Sequence, residues 1–326
     1  MTELRYNPLL RDWTMVASHR QNRPQMPKDY CPFCPGSGKV PDDYQVFAYD
    51  NDFPALSAIP PVPDVAGSAL YPVQEAYGKC EVILYSPDHS ASLSRLPVRH
   101  IRQVVDLWTE RFIALSENPK HKYILIFENR GPEVGVTMPH PHGQIYAYPY
   151  IPQKLRVELE ACHDHLQETG HCLICDMAEQ EKQSGLRIIK ETQHFLCFIP
   201  FFTDYPYGAF IVSKVHCASL VEFTDAQKDD LAAMLHAVAA GMDGLFDREF
   251  PYMMALHQGP VNGPDATESF HFHIEFYPPL RSRDRIKYLA SSETAAWAPC
   301  NPTAVEDTAP QLREAVLRAE AQERGQ

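Results

Sequence analysis

Met138-Pro139-His140-Pro141-His142-Gly143-Gln144-Ile145-Tyr146 is the stretch that decides how the chain folds. In an extended strand alternate side chains share a face, about 7 Å apart along the strand. His140, His142 and Gln144 then line up. Pro141 removes a backbone donor and biases His140 toward extended geometry. Gly143 lets another group approach the backbone closely. A neutral imidazole, with an ordinary pKa of about 6.5, attacks phosphorus near pH 7 and needs no separate base. The Gln144 amide can donate to a phosphate oxygen as charge builds there. The plainer alternative is a pair of satisfied structural histidines.

Working outward, the chain repeats itself. Cys31 and Cys34 come first, then an apolar strand leading to Pro87-Asp88-His89-Ser90, a helix pattern, a strand over 123–127, and His140-Pro141-His142. Cys172 and Cys175 then open a second series: a strand over 209–212 leading to Lys214-Val215-His216-Cys217, a helix pattern, and His271-Phe272-His273. Matching markers are offset by 141, 127 and 131 residues, a difference that loop variation covers. The helix faces agree, with Val104, Trp108 and Leu115 matching Leu231, Leu235 and Met242 at helical spacing. Pro97 suits the first turn of the first helix, and Thr224 with Gln227 resembles a capping box for the second. Short loops and one long helix per half predict an α+β class of mostly antiparallel sheet with helices packed on one side. The boundary falls near Pro152, giving halves 1–152 and 153–326. Residues 54–72 and 259–266 read as surface loops. The tail over 295–310 is weakly patterned, with a short final helix from Gln311.

The composition narrows the class. At 326 residues and 44% hydrophobic, the chain can build a sizeable core. The balance of 29 basic against 42 acidic residues argues against a dedicated nucleic-acid surface, which needs clustered Lys and Arg. No run is long and apolar enough for a membrane span. The start carries Glu3, Arg5 and Arg11 and no apolar core, so no secretory signal is expected. Nine cysteines, an odd number, fit thiolates in a reducing cytoplasm better than bridges.

The His-Pro-His-x-Gln segment resembles the histidine-triad superfamily, and specifically its galactose-1-phosphate uridylyltransferase branch. Simple histidine-triad hydrolases carry a third histidine where this chain has Gln144. The resemblance spans nearly the whole chain. It includes Arg5-Tyr6-Asn7-Pro8-Leu9 with Trp13, Ser18-His19-Arg20, Arg23-Pro24, Cys31-Pro32-Phe33-Cys34, Asn51-Asp52-Phe53, Phe127-Glu128-Asn129 and Phe276-Tyr277-Pro278-Pro279-Leu280. It implies two histidine-triad-like halves and a two-step exchange. His142 attacks the α-phosphorus of UDP-glucose, releasing glucose 1-phosphate, and the uridylyl-histidine passes UMP to galactose 1-phosphate. By matching position it implies that Arg20, Arg23, Asn51, Asp52, Asn129 and Gln144 contact the nucleotide and its phosphates. Val40, Gly135 and Thr137 line the same pocket. Lys287 and Glu293 reach the sugar phosphate from a neighbouring subunit of a homodimer. Forked arginine donors suit phosphate oxygens, although solvated surface arginines are the bland reading.

Cys31 and Cys34 form a knuckle that can present two thiolates to one zinc. The family pattern supplies His89 and His140 as the other ligands of a closed, structural zinc. By duplication, Cys172, Cys175, His216 and His271 make a second zinc site. Some family members instead hold another metal in the second half through a glutamate and three histidines. Those positions here read Glu158, His257, His273 and Glu275. His273 is the counterpart of His142, and Glu275 replaces Gln144. A carboxylate there repels phosphate, so the second half is expected to be structural. The rivals are a related nucleotidyltransferase, such as an ADP-sugar phosphorylase or dinucleotide hydrolase, and a non-enzymatic zinc-binding module.

Overall fold

The computed structural model describes residues 2–19 and 30–325. The strands are β1 Thr2–Asn7, β2 Asp12–Ala17, β3 Phe47–Asp50, β4 Val73–Glu75, β5 Lys79–Leu84, β6 Tyr123–Arg130 and β7 His142–Tyr148 in the first half. The second half has β8 Ile188–Glu191, β9 Phe195–Phe198, β10 Phe210–Ser213, β11 Tyr252–His257, β12 His273–Tyr277, β13 Leu280–Ser282 and β14 Arg285–Ile286. The helices are α1 Val98–Ser116, α2 Gln153–Thr169, α3 Leu173–Ser184, α4 Asp225–Leu245, α5 Ser291–Ala296 and α6 Val305–Arg324.

One nine-stranded sheet, ordered β3-β5-β7-β6-β11-β12-β10-β9-β8, runs through both halves. Its neighbouring strands pair antiparallel throughout. The duplication is visible in that order. β5-β7-β6 on one side mirrors β11-β12-β10 on the other, and the halves join where β6 pairs with β11. β7 and β12, the strands that open at His142 and His273, occupy matching places.

Strand alternation sends Ile145 and Ala147 of β7, Ile124 and Ile126 of β6, and Met254 and Leu256 of β11 to one face. There they meet Val104 and Trp108 of α1, Leu231 and Leu235 of α4, and Leu312 and Val316 of α6. Each buried Val, Leu, Ile or Met among them contributes roughly 1.5–3 kcal/mol. The predicted helix faces are therefore the core faces, and the α+β reading holds. The Thr224–Gln227 capping box is formed. Pro97 lies one residue earlier than expected, as the N-cap of α1.

Three details differ from the sequence reading. The second half carries the additional helices α2 and α3, which pack on the opposite face of the sheet against Leu196, Phe198, Phe210 and Val212. Few of their own residues are buried, Leu155 and Cys162 in α2 and Ile174 and Glu181 in α3, so the apolar period is faint. The last helix starts at Val305, not Gln311. Pro310 in its second turn cannot donate to the carbonyl of Glu306, which lies at the exposed helix start. On the face opposite α1 in the first half, the small sheet β2-β1-β4 packs Leu4, Trp13 and Met15 against Tyr146 and Tyr148, and Phe33, Val40 and Tyr44 pack against Val82 and Leu84. Among the described residues no helix is long and apolar enough to cross a membrane.

Candidate active site

The strand β7 is held from both sides. Leu84 of β5 registers with His142, Val82 with Gln144, and Phe127 of β6 with Gln144 from the other side. His142 and Gln144 face away from α1. The Nδ1–H of His142 donates to the carbonyl of His140 at 2.8 Å. In the neutral ring this fixes Nε2 as the nitrogen that carries the lone pair. Gln144 Oε1 lies 3.5 Å from the Tyr146 hydroxyl, which leaves the amide NH2 as its donor end. Gly143 between them is required. A Cβ there would collide with the Tyr85 hydroxyl and sit 3.0 Å from its ring carbon.

His140 lies just before the strand and is buried. Its ring and that of His142 both approach Phe33, with centroids at 6.0 and 6.1 Å. Nδ1 of His140 is 3.6 Å from the sulfurs of Cys31 and Cys34, and Cys34 is 3.6 Å from Nδ1 of His89. Tetrahedral zinc, with bonds of about 2.3 Å to sulfur and 2.0 Å to nitrogen, gives S···N edges of about 3.5 Å. The four groups thus stand at the spacing of a zinc tetrahedron. The far nitrogen of His140 is 2.8 Å from the Ser86 carbonyl and 3.0 Å from the Tyr44 hydroxyl, an outer partner of the kind that orients metal ligands. Burial pushes the His140 pKa down to about 4, so the ring is neutral, as a ligand must be. Tyr44 has no motif around it, and no sequence signal marked it.

The second cysteine group is built the same way. Cys175 sulfur is 3.7 Å from His216 Nδ1 and 3.2 Å from His271 Nδ1. The other nitrogens reach the Thr267 carbonyl at 2.8 Å and the Ser213 hydroxyl at 2.7 Å. Cys172, Cys175, His216 and His271 converge as Cys31, Cys34, His89 and His140 do.

Of the other expected contacts, Asn129 shares a strand face with Phe127, beyond the last registered pair Glu128–Gly143. It therefore stands beside His142. Val40 is buried against Phe33, Tyr44 and Val82 under the same face. Gly135 and Thr137 are exposed on the loop that leads from β6 to His140. Gly135 takes a left-handed backbone, φ 81°. Asn51 closes a turn by accepting from the Phe53 amide at 2.9 Å. Asp52 accepts from Lys39 and from Tyr49, each at 2.6 Å. Burial would raise its pKa, but these two donors outweigh it and hold the carboxyl below its ordinary range. Arg20 and Arg23 lie outside the described residues. Lys287 and Glu293 are not brought to His142. They pair with each other at 2.9 Å in the second half, with Lys287 over the Tyr205 ring and 3.7 Å from Asp204.

At the counterpart position, His273 Nδ1–H donates to the His271 carbonyl at 2.9 Å. Here the likeness stops. His273 is 2% exposed, and its Nε2 faces Glu275 Oε1 at 3.3 Å. α2 brings Glu158 to His257 Nδ1 at 2.7 Å and Lys154 to Glu275 at 2.7 Å. Lys154, four residues before Glu158 on one helix face, was not singled out from the sequence; only that spacing could have marked it.

Comparison with known proteins gives a consistent result. Residues 1–152 match the family model described as galactose-1-phosphate uridyl transferase, N-terminal domain, and residues 158–290 match that of the C-terminal domain. The chain is 42% identical over 315 residues to galactose-1-phosphate uridylyltransferase of Thermotoga maritima, covering 96% of this chain and 98% of that one. It is 34% identical to the enzyme of the same name from Haemophilus influenzae, covering 89% and 87%. A solved structure described as "Structure of uridylyltransferase" superposes with a TM-score of 0.90 at 30% identity, covering 97% and 99%. An ADP-glucose phosphorylase from Arabidopsis thaliana shares the fold, with a TM-score of 0.75 at 24% identity over 96% and 98%.

Proposed function

The chain belongs to the galactose-1-phosphate uridylyltransferase family and is a transferase, and from that premise we propose that it moves UMP from UDP-glucose to galactose 1-phosphate through a covalent adduct on His142. The observation that carries this reading is the 2.8 Å bond from His142 Nδ1–H to the His140 carbonyl, which aims the Nε2 lone pair outward. In the first step Nε2 attacks the α-phosphorus, an N–P bond forms, and the P–O bond to glucose 1-phosphate breaks. The ring gains positive charge in the adduct, and the His140 carbonyl on Nδ1–H stabilises it. No proton has to leave. In the second step a phosphate oxygen of galactose 1-phosphate displaces Nε2 and regenerates the neutral ring. Gln144 donates to the phosphate oxygens as charge builds, with Asn129 on the same face and Asn51, Asp52, Arg20 and Arg23 on the nucleotide.

Residues 1–152 then form the catalytic half and 153–326 a supporting one. Cys31, Cys34, His89 and His140 hold a structural zinc, and Cys172, Cys175, His216 and His271 hold a second; the tetrahedral spacing of both groups supports this. Bound metal fixes the segment that presents His142. Metal analysis is expected to give close to two zinc ions per chain, and a value close to one would remove the second site. Lys287 and Glu293 pair with each other beside Tyr205 rather than with His142, which supports their acting on the sugar phosphate of a second subunit in a homodimer. The nine cysteines stand unbridged, which supports a reducing, cytoplasmic setting.

The direct test is intact mass after incubation with UDP-glucose. Wild type is expected to gain one UMP with release of glucose 1-phosphate, and His142→Ala to gain none. A wild type that stays unmodified while turning over, or the same adduct on the variant, would overturn the reading.

A further inference from the structure

Glu158, His257, His273 and Glu275 have the residue types of a metal site, and their ligand atoms lie within 4.8 Å of one another. Their contacts do not fit one. The cysteine groups show open tetrahedral edges, but here the acceptor and donor atoms are already closed on protons. His257 Nδ1 is at 2.7 Å from Glu158 Oε2, a hydrogen bond shorter than the roughly 3.0 Å or more that separates two ligand atoms on one ion. Its Nε2 is 3.1 Å from the Tyr277 hydroxyl. His273 has its Nδ1–H on the His271 carbonyl. Glu275 Oε2 accepts both from the Tyr277 hydroxyl and, at 2.7 Å, from Lys154 Nζ. The same ammonium is 2.7 Å from the Tyr277 oxygen and 3.5 Å from Glu158 Oε1.

Glu275, buried, and Glu158, half-buried, need positive charge beside them. We propose that Lys154 supplies it, so that its ammonium is the resident cation of this cluster and the native site takes no divalent metal. A divalent ion bound to Glu275 would lie next to that ammonium, and like charges at such a distance repel strongly. The geometry also gives the route by which the lysine arrives. Lys154, Glu158, His273, Glu275 and Tyr277 line a cavity of about 560 Å³ between the α2–α3 pair and the sheet. The lysine enters from the mouth: its side chain stays 57% exposed, whereas that of Glu275 is 6% exposed. Its removal therefore uncovers the ligand set without opening the core.

The test uses the full-length, zinc-saturated protein and cobalt(II) as the probe, counted by equilibrium dialysis and metal analysis. Only the difference between variant and wild type is read, so the content of the cysteine sites drops out. Lys154→Met is expected to take up one more cobalt ion per chain than wild type, at a free concentration at least about tenfold lower than any uptake by wild type. The added ion should give weak visible bands without the thiolate charge-transfer absorption of a cysteine site. Lys154→Gln, which keeps a neutral polar tip at the cavity mouth, should do the same, and Lys154→Arg should behave as wild type. Equal uptake by wild type and Lys154→Met would overturn the proposal. So would no added uptake by either neutral variant.

Discussion

His142 and His273 occupy the same place in two copies of one fold and have the same bond from Nδ1, at 2.8 and 2.9 Å, to the carbonyl two residues back. Duplication has kept the tautomer. What separates them is cover and charge. His142 has Gln144 beyond it and lies half-buried beside Phe33; His273 has Glu275 beyond it and is roofed by α2 and α3. Burial alone would lower the pKa of His273, but Glu275 outweighs it and holds the ring above its ordinary value. Its Nε2 is turned to that carboxylate, which repels an incoming phosphate. An aligned imidazole is thus insufficient; it needs an open face and a neutral donor as neighbour.

That contrast breaks if His273 can carry the reaction. His142→Ala should lower kcat by about 10⁴-fold or more, the scale of losing a covalent nucleophile. His273→Gln should keep kcat within about fivefold once rates are referred to folded protein, because the residue acts only on packing. Steady-state assays on both variants decide it, and comparable losses would mean that the two histidines are not functionally distinct. The role of the neighbour is sharpened by making the first half resemble the second. Gln144→Glu places a carboxylate where phosphate charge develops and should lower kcat/KM by about 10²–10³-fold. A loss below tenfold would show that Gln144 does not face the phosphates.

The likeness of the halves was legible in the sequence because its markers are chemically rare: paired cysteines, His-x-His, and a helix face with Trp108 or Leu235 at the centre. The difference between them was legible at one residue, Glu275 for Gln144. The roof was not. α2 and α3 bury too few apolar residues to give a period, so helix formation there depends on packing against the sheet rather than on pattern. Lys154 was hidden for a related reason. An exposed lysine near a helix start is an ordinary surface residue until the strand opposite is known to carry a buried glutamate. Tyr44 likewise becomes meaningful only when folding brings it to His140.

The seam between the halves gives a third, smaller effect. Glu128 of β6 is buried beside β11, where the Tyr252 hydroxyl donates to it at 3.1 Å. Burial raises its pKa to about 7, against the smaller opposing pulls of Arg130, Tyr252 and Tyr85. A carboxyl whose folded pKa lies above its unfolded value binds its proton more tightly in the native state. Stability then falls as pH rises from about 4.5 to about 7. Between pH 5 and pH 8 this one group should cost about 2 kcal/mol, an order-of-magnitude figure. Glu128→Gln should remove that slope while keeping the contact with Tyr252. Urea unfolding at the two pH values, wild type against variant, measures it. An unchanged difference would place the proton elsewhere.

The smallest effect concerns the two helices that the duplication pairs. α4 begins with a complete capping box, in which the Thr224 hydroxyl accepts from the Gln227 amide and the Gln227 side chain returns to Thr224. α1 begins at Pro97, with no side chain capping its first amides. The same structural task is therefore done in two ways. Thr224 satisfies helix donors in the folded state, and Pro97 restricts the unfolded chain at φ −57°, which it adopts anyway. Thr224→Ala should destabilise by about 1 kcal/mol and Pro97→Ala by about half of that. The origins can be separated as well as the sizes. Thr224→Ser keeps the acceptor and should restore most of the loss, whereas no side chain at position 97 that merely accepts a hydrogen bond reproduces the stiffness of proline. Equal losses at the two positions, with no rescue by serine, would mean that tertiary packing of Trp108 and Leu235 fixes both helix starts and that the caps add nothing measurable.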